Sequence, residues 1–209
     1  MEITKISLTQ QKRIENVILW IRQASTYSEL ILKIDAILSD LAFGVAADRF
    51  EQAIQDLGTA LGFECQRPDK EWKEGPDNLW AIKDDQYLLV ECKSEVEVNR
   101  ESMNKQETGQ MNNATAWFKR NYPGAEVRRV MIIPMKKINK AAGFNEPVEI
   151  MRVAKLAALV RNVRKFFVSL KDVDFQSLSE DQVNARLSTE GLDVVHLLQD
   201  YAEQPYQMT

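Results

Sequence analysis

"GPDNLWAIKDDQYLLVECKSE", residues 75–95, decides the fold. Two apolar runs, 77–82 and 86–92, are separated by Lys83, Asp84 and Asp85, which reads as two strands joined by a tight turn. Their near-continuous apolar character predicts interior strands covered on both faces. Asp77 stands at the head of the first run, and Glu91, Cys92 and Lys93 close the second. Charged side chains are seldom buried unless they are paired or hold a metal. Residues two apart on a strand share a side, so Glu91 and Lys93 project together. A two-residue turn at Asp84 and Asp85 sets Asp77 opposite Cys92, whereas a three-residue loop sets it opposite Glu91. Directly opposed side chains have Cβ atoms about 4.5–5.5 Å apart. The three-residue version therefore brings two carboxylates close enough to share a divalent cation, with the lysine diagonally beside them.

The flanking segments read mostly as helices. Ile14, Val17, Ile18 and Ile21 recur at helical spacing, as do Leu30, Ile31, Ile34, Leu38 and Leu41 behind a cap at Ser25 or Thr26. A third helix is expected over about 46–61, with Gly62 past its end. "FECQRPDKEWKEGPD" then reads as a short strand followed by a turn-rich loop containing Pro68, Gly75 and Pro76, leading into the hairpin. After it come a helix over 99–121, a strand over 125–135 and a long helix over about 148–170. Beyond that, Ser179 with Gln182 makes a capping-box pattern, and Thr189 is placed to cap "GLDVVHLLQDYA". Trp80 and Trp117 read as core. The order predicts an α/β core, residues 46–170, with helical extensions at 1–45 and 171–209.

Composition narrows the class. Of the 209 residues, 44% are hydrophobic and 28% charged, an ordinary globular balance. No apolar run approaches the ~18 residues needed to span a bilayer, and the start, "MEITKISLTQQKRIEN", lacks a secretory apolar stretch. The two cysteines, Cys65 and Cys92, imply free thiols in a reducing cytoplasm, with no disulfide framework or zinc site. His196 is the single histidine, which excludes a histidine-based triad. Net charge is −4, but its distribution is uneven: −7 over residues 1–118, +9 over 119–165 and −6 over 166–209. A basic middle between acidic flanks points to a polyanion.

"PD" at 76–77 followed by "ECK" at 91–93 resembles the PD-(D/E)xK signature of restriction-endonuclease-like nucleases. A second E-x-K match, "EWK" at 71–73, lies between Pro68 and Pro76 with no strand to aim it, and is set aside. The preceding "FEQAIQDLGTALGFEC" is similar to Mrr-like members, in which a helix with a glutamate near its start exits through "GF" into the first strand; Glu51 takes that position. In "NKQETGQMNNATAWF", Gln106 and Gln110 are the polar candidates on the following helix, and Gln110 is preferred. The resemblance covers residues 46–135 and implies a restriction-endonuclease-like core: a central mixed sheet flanked by helices.

That resemblance implies a divalent-metal-dependent nuclease acting on DNA, in defence or repair. Asp77, Glu91, the Cys92 backbone carbonyl and Glu51 would hold Mg²⁺ or Mn²⁺, and Lys93 would orient or activate the attacking water. Lys119, Arg120, Arg128, Arg129, Lys136, Lys137 and Lys140 follow the motifs and are the expected phosphate contacts. A weaker similarity, to nuclease-like domains of bacterial DEAD/DEAH-box helicases, implies a helicase or other ATPase partner. The alternative reading is a nuclease-like fold without cleavage that binds nucleic acid or protein in a larger complex.

Overall fold

The computed structural model describes residues 3–208; residues 1, 2 and 209, at the outer ends of the two predicted extensions, lie outside the described residues. Three helices open the chain: α1 (Lys12–Arg22), α2 (Tyr27–Ser39) and α3 (Ala47–Ala60). Of the two candidate caps for α2, Thr26 is the one used, its side chain accepting from Glu29 N at 3.1 Å. Helix α3 stops at Gly62, whose φ of +86° is a left-handed conformation; a Cβ there would lie 2.2 Å from the Arg13 carbonyl. The buried Arg13 side chain donates to the Leu61 carbonyl at 3.0 Å, satisfying an orphaned acceptor at that helix end.

Strand β1 (Glu64–Gln66) leads into α4 (Pro68–Trp72), then β2 (Asn78–Lys83) and β3 (Gln86–Cys92). Residues 68–72 were expected to be loop. Pro68 at the first helical position, with Asp69 and Glu71 in the first turn, instead starts a short helix. Trp72 gives it an anchor, stacked on Trp117 with ring centroids 6.2 Å apart.

Helix α5 (Lys105–Asn121) begins six residues later than the expected 99. Asn104 and Glu107 form a reciprocal capping box that sets its start. Then follow β4 (Glu126–Ile132), β5 (Lys137–Ile138), β6 (Glu149–Met151) and α6 (Val153–Val168). The expected helix over 148–170 is thus a strand and a shorter helix. Glu149, Ile150 and Met151 pair with β4 and extend the sheet, and the helix forms only beyond the extended Arg152.

The chain closes with α7 (Glu180–Thr189), α8 (Val194–Gln199) and β7 (Tyr206–Gln207). The Ser179–Gln182 capping box forms as expected. Thr189, however, ends α7 and caps nothing. Gly191, at φ +66°, breaks the helix, and Asp193 caps α8 by accepting from Val195 N and His196 N.

The main sheet has five strands in the order β1-β2-β3-β4-β6. β1, β2 and β3 run antiparallel, whereas β3, β4 and β6 are parallel, so the sheet is mixed. One face carries Trp80, Val90 and Ile132 toward Ile54 and Leu57 of α3 and Leu159 of α6. The other carries Tyr87 toward Phe118 of α5, with centroids 5.3 Å apart. This is an α/β fold with helices on both sides of a mixed sheet. One apolar cluster runs from Leu8 to Tyr201, so the terminal helices share the core of the central segment. Among the described residues no helix is long and apolar enough to cross a membrane.

Candidate active site

Hairpin register places the acids. Lys83 pairs with Gln86 across the two-residue turn Asp84–Asp85, and Asp84 takes the positive φ that the turn needs. An irregularity between Ala81 and Lys83 then shifts the pairing, so that Ala81 faces Tyr87 and Asn78 faces Val90. One further step sets Asp77 opposite Glu91. The tight turn and the carboxylate-to-carboxylate register, alternatives on paper, therefore coexist through one bulge.

Asp77 is held by a backbone amide. Lys93 N donates to Ile132 O of β4 at 2.8 Å, so the preceding amide, of Cys92, points toward β2. The Pro76 carbonyl on that side is already taken by Asp69 N at 3.2 Å. The Asp77 carboxylate accepts the Cys92 N–H in its place, at 2.7 Å. Lys93 Nζ then lies 3.3 Å from Glu91 Oε2 and 3.7 Å from Asp77 Oδ2. Glu91 is only 3% exposed. Asp77, Glu91 and Lys93 thus converge as the spacing predicts.

Glu51 approaches from the start of α3. Its carboxylate pairs with the guanidinium of Arg67, which is 3% exposed and also reaches Asp48 at 3.0 Å and Gln52 at 3.3 Å. The Glu51 backbone carbonyl accepts from Asn78 Nδ2 at 3.0 Å, which fixes α3 to the first residue of β2.

Burial and crowding shift the acids upward. Desolvation, then the Asp77 charge, pushes the Glu91 carboxyl up to about 8 against the pull of Lys93. Desolvation and Asp77 likewise push Glu51 up to about 7, opposed by Arg67. Asp77 is raised by burial although Lys93 and the Cys92 amide favour its charged form. For Lys93, burial acts downward, but Glu91 and Asp77 more than offset it, and its ammonium is held above its ordinary range. Acids perturbed by burial together with specific charge partners, and set in a cleft, make a candidate functional site.

A cleft of about 500 Å³ opens above these groups. Asp77 and Glu91 form its floor, Lys73, Glu74 and Gly75 one wall, and the α5 residues Gln110, Asn113, Trp117 and Arg120 the other. Gln110 is therefore brought to the acids; Gln106 is exposed one turn earlier on α5. Of the expected phosphate contacts, Arg120 lines the cleft, paired with Glu74 at 2.8 Å. Arg128 and Arg129 line a separate groove with Gln86 and Glu149. Arg128 pairs with Glu149, and Arg129, 9% exposed, donates to Thr115 Oγ1 at 3.2 Å. Lys119 pairs with Glu146, Lys136 with Glu203 at 3.1 Å and Lys137 with Glu101 at 3.0 Å, while Lys140 is exposed. Much of the +9 segment is thus neutralised by acids the fold brings to it.

Sequence reasoning missed Arg67, Asp69, Lys73 and Asn113. Asp69 and Lys73 reach the cleft wall because "PDKEW" is helical, and Asn113 lies one turn after Gln110. An arginine directly after a strand, sixteen residues beyond a suspected glutamate ligand, was a weak signal for Arg67.

The donor set suits a hard divalent ion. Asp77, Glu91 and Glu51 offer carboxylate oxygens, and burial first, with mutual repulsion for Glu91 and Glu51, raises the proton affinity of each. Among the described residues no three acidic, histidine or cysteine side chains meet as they stand at a separation that would hold a metal ion. Arg67 engages Glu51, and Lys93 engages the other two. Compared with known proteins, the chain matches no family model and no curated protein.

Proposed function

We propose that the chain is a divalent-metal-dependent nuclease with a restriction-endonuclease-like core, hydrolysing phosphodiester bonds in DNA. The observation that carries this reading is the convergence of Lys93 on Asp77 and Glu91, the two acids at the floor of a cleft, with Glu51 paired to Arg67 and Gln110 on the cleft wall.

Asp77, Glu91, the Cys92 carbonyl and Glu51 are the groups that would hold Mg²⁺ or Mn²⁺. Such an ion supplies charge stabilisation at the phosphate and lowers the pKa of water. Lys93, protonated because two carboxylates face it, steadies negative charge gathering on the phosphate oxygens and orients the attacking water. Gln110 offers an amide to the substrate from α5. The strand would be delivered by a helicase or other ATPase in a defence or repair system, a partner suggested by the motif resemblance.

One observation favours the runner-up, a nuclease-like binding module that does not cut: Arg67 and Lys93 already occupy the three carboxylates. Purified protein with Mg²⁺ or Mn²⁺ should cut DNA, and chelation should stop it. Asp77→Ala and Lys93→Ala should each lower the rate at least ~10²-fold, about 2.7 kcal/mol of barrier. Cleavage indifferent to both substitutions would overturn the assignment. No cleavage with any metal, together with no heat on Mn²⁺ titration, would select the binding module.

A further inference from the structure

Depth and lining of the cleft indicate which form of DNA it takes, an inference that rests on the nuclease reading. The acids lie at the floor: the side chain of Asp77 is 13% exposed and that of Glu91 5%, and Lys93, which pairs with both, is 15% exposed. A phosphate that reaches them must bring its sugar and base down between Lys73 and Glu74 on one side and α5 on the other. The available 500 Å³ is the size of a small-molecule site. A duplex is a stiff rod, with a persistence length of about 150 base pairs, and cannot bend one phosphate into such a recess without distortion.

Charge bears less heavily on a single strand, whose phosphates are less densely spaced than a duplex's. The cleft lining carries four carboxylates, Asp69, Glu74, Asp77 and Glu91, against two cations, Lys73 and Arg120. Arg120 is already paired with Glu74. Duplex binding draws mainly on phosphate neutralisation by lysine and arginine, with one negative charge per ~1.7 Å of axis. The lining offers little of that.

What it offers instead is amides. Gln110 and Asn113, one turn apart on α5, are exposed on the cleft wall. Asn112, on a different face, is tied down by Gly143 O at 3.0 Å and Asn145 N at 2.9 Å; among the described residues no such bond engages the side chains of Gln110 and Asn113. Ala116 keeps the wall low between Asn113 and Arg120. Asparagine and glutamine amides match the hydrogen-bonding edges of bases, and the Watson–Crick edges are free only when a strand is unpaired.

We propose that the cleft takes single-stranded DNA, as a free strand, an overhang or a frayed end, with Gln110 and Asn113 holding unpaired bases while a phosphate reaches Asp77 and Glu91. The test is fluorescence anisotropy of the full chain in Ca²⁺, with a labelled single strand, the same sequence as a blunt duplex, and the duplex with an overhang. Cleavage of the three is then compared in Mn²⁺. The single strand and the overhang should bind ~10-fold or more tighter than the blunt duplex. Gln110→Ala and Asn113→Ala should each weaken single-strand binding several-fold, with unchanged melting temperature and unchanged duplex binding. A blunt duplex bound or cut as well as the single strand overturns this proposal and leaves the nuclease reading standing. Single-strand binding indifferent to both substitutions also overturns it. No binding of any form overturns the nuclease reading along with it.

Discussion

Lys93 Nζ lies 3.3 Å from the carboxylate of Glu91, two residues earlier on the same strand face, in surroundings that leave Glu91 almost without solvent. The ammonium therefore stands where a divalent cation would help most, balancing Glu91 and Asp77 together. Lys93→Ala should then separate two roles. Removing the cation leaves buried carboxylates uncompensated, so the metal-free variant should melt lower than the wild type. Added Mn²⁺ should raise its melting temperature by more than it raises the wild type's, because no ammonium competes for the acids. Differential scanning fluorimetry with and without Mn²⁺ checks this; an equal or smaller metal shift in the variant would show that Lys93 does not compete for the site.

Stability should fall as pH rises toward the alkaline side. Glu91 is raised from 4.5 to about 8 and Glu51 from 4.5 to about 7, so the folded protein keeps protons that the unfolded chain has lost. Unfolding is then linked to proton release, and the stability from these groups, full below about 4.5, is lost as pH climbs through 7 to 8. Asp193 and Glu203 are shifted downward, so their contribution changes only at lower pH. Without metal, the melting temperature should be higher near pH ~5.5 than near pH ~8.5. Glu91→Gln should flatten that slope and raise the alkaline melting temperature, at ~2–4 °C per kcal/mol for a chain of this size. A flat wild-type profile would mean that the acids are not under strain.

Local patterns made the hairpin, the first three helices and the Ser179 capping box legible, because each depends on residues close in sequence. The register of Asp77 against Glu91 was legible only as two alternatives, since nothing in "KDDQ" reveals that a bulge follows the tight turn. β6 was hidden because three residues carry no period; Ile150 fits a helical stripe as well as a strand, and only pairing with β4 decides. Long-range ion pairs were also out of reach. The 120–74, 136–203 and 137–101 partnerships join residues more than thirty apart, so a basic stretch of sequence becomes a mostly neutral surface.

Gly75 should be intolerant of a side chain. Its φ is +96°, and a Cβ would lie 2.7 Å from Trp117 and 2.8 Å from Pro68. Gly75→Ala should cost about 1–3 kcal/mol through strain and overpacking. Because Pro76 and Asp77 follow directly, it should also weaken the Mn²⁺-induced thermal shift. A variant that melts and responds to Mn²⁺ like the wild type would show that this turn does not position Asp77.

Arg120, Arg128 and Arg129 belong to one basic stretch of sequence but should respond differently to substitution. Arg120 lines the cleft and its partner Glu74 is exposed, so Arg120→Ala removes a cation near the DNA path at little cost to the fold. DNA affinity should drop several-fold and the salt dependence should flatten by about one counterion. Arg128 faces Glu149 across the β4–β6 pair in a different groove. Arg128→Ala should leave DNA affinity unchanged and loosen the sheet edge slightly. Arg129 is nearly buried between β4 and Thr115 of α5, so Arg129→Glu would bury an uncompensated carboxylate there. That variant should lose several kcal/mol and fail to fold well, whatever the ligand. Anisotropy titrations at two salt concentrations, alongside thermal melts, distinguish the three responses. Reduced affinity in Arg128→Ala with an unchanged melt would move the DNA path to the Glu149 groove.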